Sequence, residues 1–182
     1  MKKVLIGLVT LLALGAVYFA FLGNSEQSTD EATVGSLSEA SQDMSVPTEL
    51  QLPGMTDLEG NRVNLDHNKL VFVNVWATWC GPCNMEMPSI QELYGRFKDN
   101  DKIAFYVISD EDSETVVPFV QRKKYDLPLY LYQGRYPAEL EGNAIPRTYI
   151  ISKGKVLVSE VGARNWNDPA VVEMIEQELA AI

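Results

Sequence analysis

The two cysteines of this chain stand at Cys80 and Cys83, and two residues between them is the spacing of a dithiol that can cycle through its own disulfide. The stretch Trp79-Cys80-Gly81-Pro82-Cys83 joins a β-type run to a helical pattern, so Cys80 falls at a helix start. There the free N–H groups and the positive end of the helix dipole stabilise a thiolate. Cys80 is therefore the expected nucleophile. Cys83 lies one turn deeper on the same face and can attack a mixed disulfide formed at Cys80. Gly81 leaves the approach to the sulfur uncrowded, and Pro82 sits in the first turn, where its missing N–H costs nothing. Two non-catalytic uses of the pair remain open. One is a static disulfide, which would constrain the unfolded chain little across so small a loop. The other is metal binding: zinc lacks ligands, since His67 is the only histidine and reads as a turn residue, and copper would need Met85 or Met87 as a further ligand.

The elements that must hold this pair are legible on either side. Leu70 to Trp76 is a near-continuous β-branched and aromatic run, the pattern of a central strand covered on both faces. After the cysteines, Met85, Ile90, Leu93, Tyr94 and Phe97 recur at helical spacings and predict a helix from Gly81 to about Lys98, kinked at Pro88. Upstream, Met55 to Leu65 reads as a hairpin turning at Gly60-Asn61. Downstream, the pattern predicts a strand over Ile103–Ser109, a helix over Ser113–Tyr125, a strand over Leu129–Tyr132 and a brief helix near Pro137–Glu141. A hairpin of Thr148–Ile151 with Lys155–Glu160 and a closing helix over Asp168–Ala181 follow. Strands separated by helices argue an α/β layer fold.

The chain has 182 residues, 46% of them hydrophobic, which suits one domain with a real core. Its net charge of -10 repels phosphate backbones, so no nucleic-acid partner is expected. Residues 1–23 carry Lys2 and Lys3 before an uncharged apolar run long enough to cross a bilayer. They read as a signal anchor and transmembrane segment, with a cleaved signal peptide as the alternative. The lysines place the N-terminus inside and the rest of the chain outside. Residues 24–46 form an acidic, flexible tether without a basic residue, and 47–182 form the folded domain.

The segment Trp76-Ala77-Thr78-Trp79-Cys80-Gly81-Pro82-Cys83 resembles the active site of the thioredoxin superfamily, and Pro88 matches that family's helix-kinking proline. Ile145-Pro146 is similar to its cis-proline loop, and Val161-Gly162-Ala163 to its C-terminal strand end. The apolar N-terminus, the early hairpin and the extra helix and strand at about 113 to 133 narrow the likeness to TlpA/ResA-like thiol-disulfide oxidoreductases. The resemblance implies a thioredoxin-like fold over 47–182: a central mixed sheet flanked by helices, with an N-terminal hairpin and a central helix-strand insert. It implies an extracytoplasmic, membrane-anchored reductase of protein disulfides, apocytochrome c among the candidate substrates, recharged by a membrane thiol donor and needing no cofactor or metal. A general disulfide oxidant or isomerase, and a non-enzymatic copper-binding module, are the alternatives. Substrate contacts implied are Trp79, Gly81, Pro82, Ile145 and Pro146.

One departure from ordinary thioredoxin is informative. Where thioredoxin carries a buried aspartate six residues before the first cysteine, this chain has Asn74, which cannot take a proton. Glu86, three residues after Cys83, supplies a carboxyl at the place where TlpA/ResA-like proteins carry a glutamate. It is the expected third catalytic residue, with a solvated helix carboxylate as the alternative. Asn74 itself reads as a buried amide satisfying local hydrogen bonds. Trp76 reads as packing, and Trp166 carries no functional signal.

Overall fold

The computed structural model describes residues 50–182. The expected anchor at 1–23 and tether at 24–46 lie outside the described residues, among which no helix is long and apolar enough to cross a membrane. Nine elements follow in chain order: β1 (Thr56–Asp57), β2 (Leu70–Trp76), α1 (Gly81–Phe97), β3 (Ile103–Ser109), α2 (Ser113–Lys123), β4 (Leu129–Leu131), β5 (Arg147–Ser152), β6 (Lys155–Val161) and α3 (Pro169–Ala181). The strands make one mixed sheet in the order β1-β4-β3-β2-β5-β6. The trio β2, β3 and β4 runs parallel, while β1, β5 and β6 pair antiparallel to their neighbours. This is the mixed sheet with flanking helices that the family resemblance implies.

Strand alternation sorts the core into two layers. Phe72 and Trp76 of β2 join Met87, Ile90 and Leu93 of α1, Val116 and Val120 of α2, and Val171, Ile175 and Leu179 of α3. Val71, Val73 and Val75 face the other way and are covered by Leu50, Leu52, Met55 and Leu65 of the leading segment and by Tyr132 and Leu140. Since β2 is covered on both faces, all seven of its residues are buried, including the polar Asn74. Every apolar position of that run is thus used.

The central insert appears as α2 and β4, with α2 ending at Lys123 where Lys124 adopts a left-handed cap. The early hairpin is smaller than expected. Only the bridge between Thr56 and Arg62 closes it, around a turn in which Gly60 takes φ +88°, and β1 finds its ladder partner in β4 instead. Two residues give too few cross-strand pairs to stand alone. The stretch Pro137–Glu141 is a single turn, closed by the Leu140 N–H donating to the Pro137 carbonyl at 2.9 Å, and not a helix. Five residues do not repay helix nucleation. Burial of Leu140 holds the turn against the sheet.

Candidate active site

β2 delivers the chain to Trp76, and the turn after it places Cys80 as the N-cap of α1, with Gly81 and Pro82 in the first turn as expected. Cys80 and Cys83 are joined as a disulfide. The backbone N–H of Cys83 donates to Cys80 Sγ at 3.2 Å, one of the helix-start donors that the sequence reading invokes for a thiolate. Cys83 is wholly covered, while Cys80 keeps 3% of its surface open. Around them the rim is exposed: Trp79 at 74%, together with Gly81, Pro82 and Met85. The Ile145–Pro146 peptide is cis, as the resemblance implies. Continuing the β2–β5 register one step past Val75 and Arg147 sets Pro146 across from Trp76, at the sheet end that carries the cysteines. Gly162, at φ +101°, closes the same end by donating its N–H to the Pro146 carbonyl at 2.8 Å.

Glu86 is buried at 2% exposure, so the solvated-carboxylate alternative does not hold. Asn74 Nδ2 donates to its Oε1 at 2.8 Å, and Trp166 Nε1 donates to its Oε2 at 2.9 Å; the Arg164 backbone N–H reaches Oε2 at 3.3 Å. Burial raises the carboxyl above the ordinary glutamate value, and the hydrogen bonds from Trp166, Asn74 and Arg164 oppose that rise without cancelling it. A 420 Å³ surface cleft between α1 and the segment after β6 is lined by Glu86, Met85, Ser89, Arg164 and Asn165.

Several residues that shape the site were not singled out from the sequence. Trp166, read there as carrying no signal, is fully buried against Phe72 and caps Glu86. Glu111 grips the turn before the cysteines: the Thr78 backbone N–H donates to it at 2.6 Å and the Thr78 hydroxyl at 2.7 Å. Asn84 Nδ2 donates to the carbonyls of Thr78 and Cys80 at 3.0 and 2.9 Å, tying the same turn to α1. Arg147, next after the cis-proline, is buried and donates to the carbonyls of Leu140 and Ala144. Trp166 and Glu111 act across separations of 80 and 33 residues, which no local spacing announces, whereas Asn84 and Arg147 bond within seven. Of the two methionines considered for copper, Met87 is spent in the core and Met85 is exposed.

A disulfide-bonded cysteine pair at a helix N-terminus, a cis-proline across from it and a mixed sheet with this strand order together define the thioredoxin-like arrangement. Residues 43–159 match the AhpC/TSA family model. The chain belongs to the AhpC/TSA family. Within it, the chain is similar to the thiol-disulfide oxidoreductase ResA of Bacillus thuringiensis strain Al Hakam, at 34% identity over 59% of this chain and 65% of that protein. The likeness to the ResA protein of Halalkalibacterium halodurans is 32% over 67% of this chain and 70% of the relative. The chain thus spans just under two thirds of the Bacillus relative's length. The crystal structure of StoA from Bacillus subtilis superposes with a TM-score of 0.55 at 20% identity, covering 68% of this chain and 92% of that one, which bears out the fold. The resemblance to thiol-disulfide oxidoreductases holds in sequence, and the structure shares the thioredoxin-like fold.

Proposed function

We propose that this AhpC/TSA domain is a thiol-disulfide oxidoreductase that reduces disulfides in polypeptides through the Cys80/Cys83 couple. The observation that carries this reading is the pair itself, closing the N-terminus of α1 with the Cys83 N–H on Cys80 Sγ. Starting from the dithiol, the Cys80 thiolate attacks a substrate disulfide; a Cys80–substrate disulfide forms and one substrate thiolate leaves, taking up a proton. Cys83 then gives its proton to Glu86 and attacks Cys80 Sγ, so the mixed disulfide breaks and the second substrate thiolate departs. Two electrons pass to the substrate, and Cys80 and Cys83 end as the disulfide seen here. A dithiol donor restores the starting state. The exposed rim of Trp79, Gly81 and Pro82, with Ile145 and Pro146 across from it, is where the substrate chain would lie.

Support for reduction over oxidation comes from the Gly-Pro dipeptide between the cysteines, and the ResA relatives support the oxidoreductase class. The apolar run behind Lys2 and Lys3 supports a membrane-anchored domain working outside the cytoplasm, with a membrane thiol donor and an apocytochrome c as partner candidates. Copper binding would rest on the exposed Met85 alone, since Met87 is taken up in the core. The test is chemical trapping. Cys83→Ser should accumulate substrates as mixed disulfides on Cys80, and Cys80→Ser should abolish attack. Adducts forming only through Cys83 would overturn the assignment.

A further inference from the structure

Asn74 occupies the one polar position of a strand buried on both faces, and its amide is used unevenly. Nδ2 donates to Glu86 Oε1 and to Thr148 Oγ1, both at 2.8 Å, while Oδ1 is buried without a partner. A buried oxygen left unpaired is costly, so its place beside a carboxyl that gains and loses a proton calls for an explanation. The ionised carboxylate offers only acceptors, which suits the amide as it stands. Once protonated, Glu86 carries an O–H that needs an acceptor, and the other nearby groups are poor ones. Trp166 Nε1 and the Arg164 N–H can only donate. Turned over about its last side-chain bond, the Asn74 amide puts Oδ1 where Nδ2 stood, between Glu86 and Thr148. There it can accept from the new O–H and from the threonine hydroxyl, which serves equally as donor or acceptor. The reversed amide leaves its N–H pair facing the present site of Oδ1, which keeps that arrangement the minor one until Glu86 is protonated.

We propose that Asn74 is a positioning residue for the proton step, its amide donating to the Glu86 carboxylate and, reversed, accepting from the Glu86 acid. This deepens the proposed function and rests on Glu86 as the proton carrier for Cys83. The device lets a buried carboxyl change charge without water entry or movement of the backbone. An aspartate at this position would place two acids against each other, whereas the amide has no charge of its own. Around Glu86, Trp166 Nε1 and the Arg164 N–H donate to the carboxyl, the Ser89 hydroxyl donates to the Glu86 main-chain carbonyl, Thr148 of β5 shares the Asn74 amide, and Cys83 is buried one turn earlier on α1. The Arg164 guanidinium stacks 5.0 Å over the Trp166 ring and pairs with Glu160, and Glu92 lines the same cleft as Glu86.

The experiment is a pH titration of the oxidised, detergent-solubilised full-length chain by NMR, with labels on the Glu86 carboxyl carbon and the Asn74 side-chain amide. The Asn74 amide protons should shift with the same midpoint as the Glu86 carboxyl, and their Overhauser contacts to Thr148 should be lost below it. Contacts that persist on both sides of the midpoint would make Asn74 a fixed donor and overturn the proposal. Kinetics give a second readout. Asn74→Asp should move the pH step of the resolution reaction alkaline by about one unit or more, because an ionised aspartate cannot donate to the Glu86 carboxylate and repels it. Asn74→Leu should lower the high-pH plateau by about tenfold. Identical profiles for the two variants would also overturn it. If Glu86 does not carry the proton, Glu86→Gln resolves at the parent rate; that failure is separate, since the titration on the parent chain reads the amide directly.

Discussion

Glu86 shows how one residue can be read from spacing and still be misjudged in its surroundings. Its three-residue steps from Cys80 and Cys83 put it on the cysteine face of α1, and burial there follows. The donors that hold it could not be read the same way, because Trp166 is 80 positions away and Thr148, which shares the Asn74 amide, is 74 from Asn74. No local pattern carries such pairings. Chemically, a desolvated carboxyl with a raised pKa is suited to take the Cys83 proton at neutral pH. Glu86→Gln should therefore slow resolution of a mixed disulfide by about tenfold or more, with a smaller effect on the first attack by Cys80. It should also erase the acid step, below which the parent's Glu86 is already protonated and cannot act as base. Stopped-flow tryptophan fluorescence between about pH 5 and 9 measures both. Rates and profiles that overlay the parent's would reduce Glu86 to a structural acid.

At the scale of elements, the cysteines depend on a short turn that belongs to neither β2 nor α1. Thr78 and Trp79 have no ladder partner, and Glu111, two residues past the end of the parallel neighbour β3, supplies one by accepting from both the backbone and the hydroxyl of Thr78. Ser109 completes the grip by donating to the same carboxylate at 3.2 Å. Because hydrogen bonds to a charged group contribute about 1.5 to 3 kcal/mol each, Glu111→Ala should speed amide exchange at Thr78 by roughly tenfold or more. Glu111→Gln, which keeps one acceptor, should fall between. Exchange at Thr78 that is the same in all three would mean the turn is held by Asn84 alone. The long elements were legible because β2 and β3 carry near-continuous apolar runs and α1 a helical period over many residues. The hairpin at Met55–Leu65 and the helix at Pro137–Glu141 were overread for the opposite reason: each is short, and tertiary packing rather than local preference decided its form.

Over the whole molecule, the two layers are built differently, and Glu86 lies in the better-covered one. The three helices among the described residues close over its side of the sheet, while the opposite side relies on the Leu50–Leu65 segment and the turn around Leu140. Fixing a carboxyl in the helical layer makes stability depend on pH in a direction opposite to that of a salt-bridged acid. With its folded pKa above the ordinary value of 4.5, Glu86 binds a proton in the folded chain over a window where the unfolded chain has released it. Its contribution is fully present below 4.5 and is lost as pH rises through the raised value. Glu86→Gln has no proton to lose. Its amide pays a constant penalty where an N–H must face the Trp166 or Asn74 donor, so the two proteins differ by an offset that pH does not change. Subtracting urea-unfolding free energies of the two oxidised proteins between about pH 4 and 8 should therefore give a slope favouring the glutamine variant as pH rises, flattening above the folded pKa. A flat difference across the range would show that the folded and unfolded chains hold that proton equally, and that burial does not tune Glu86.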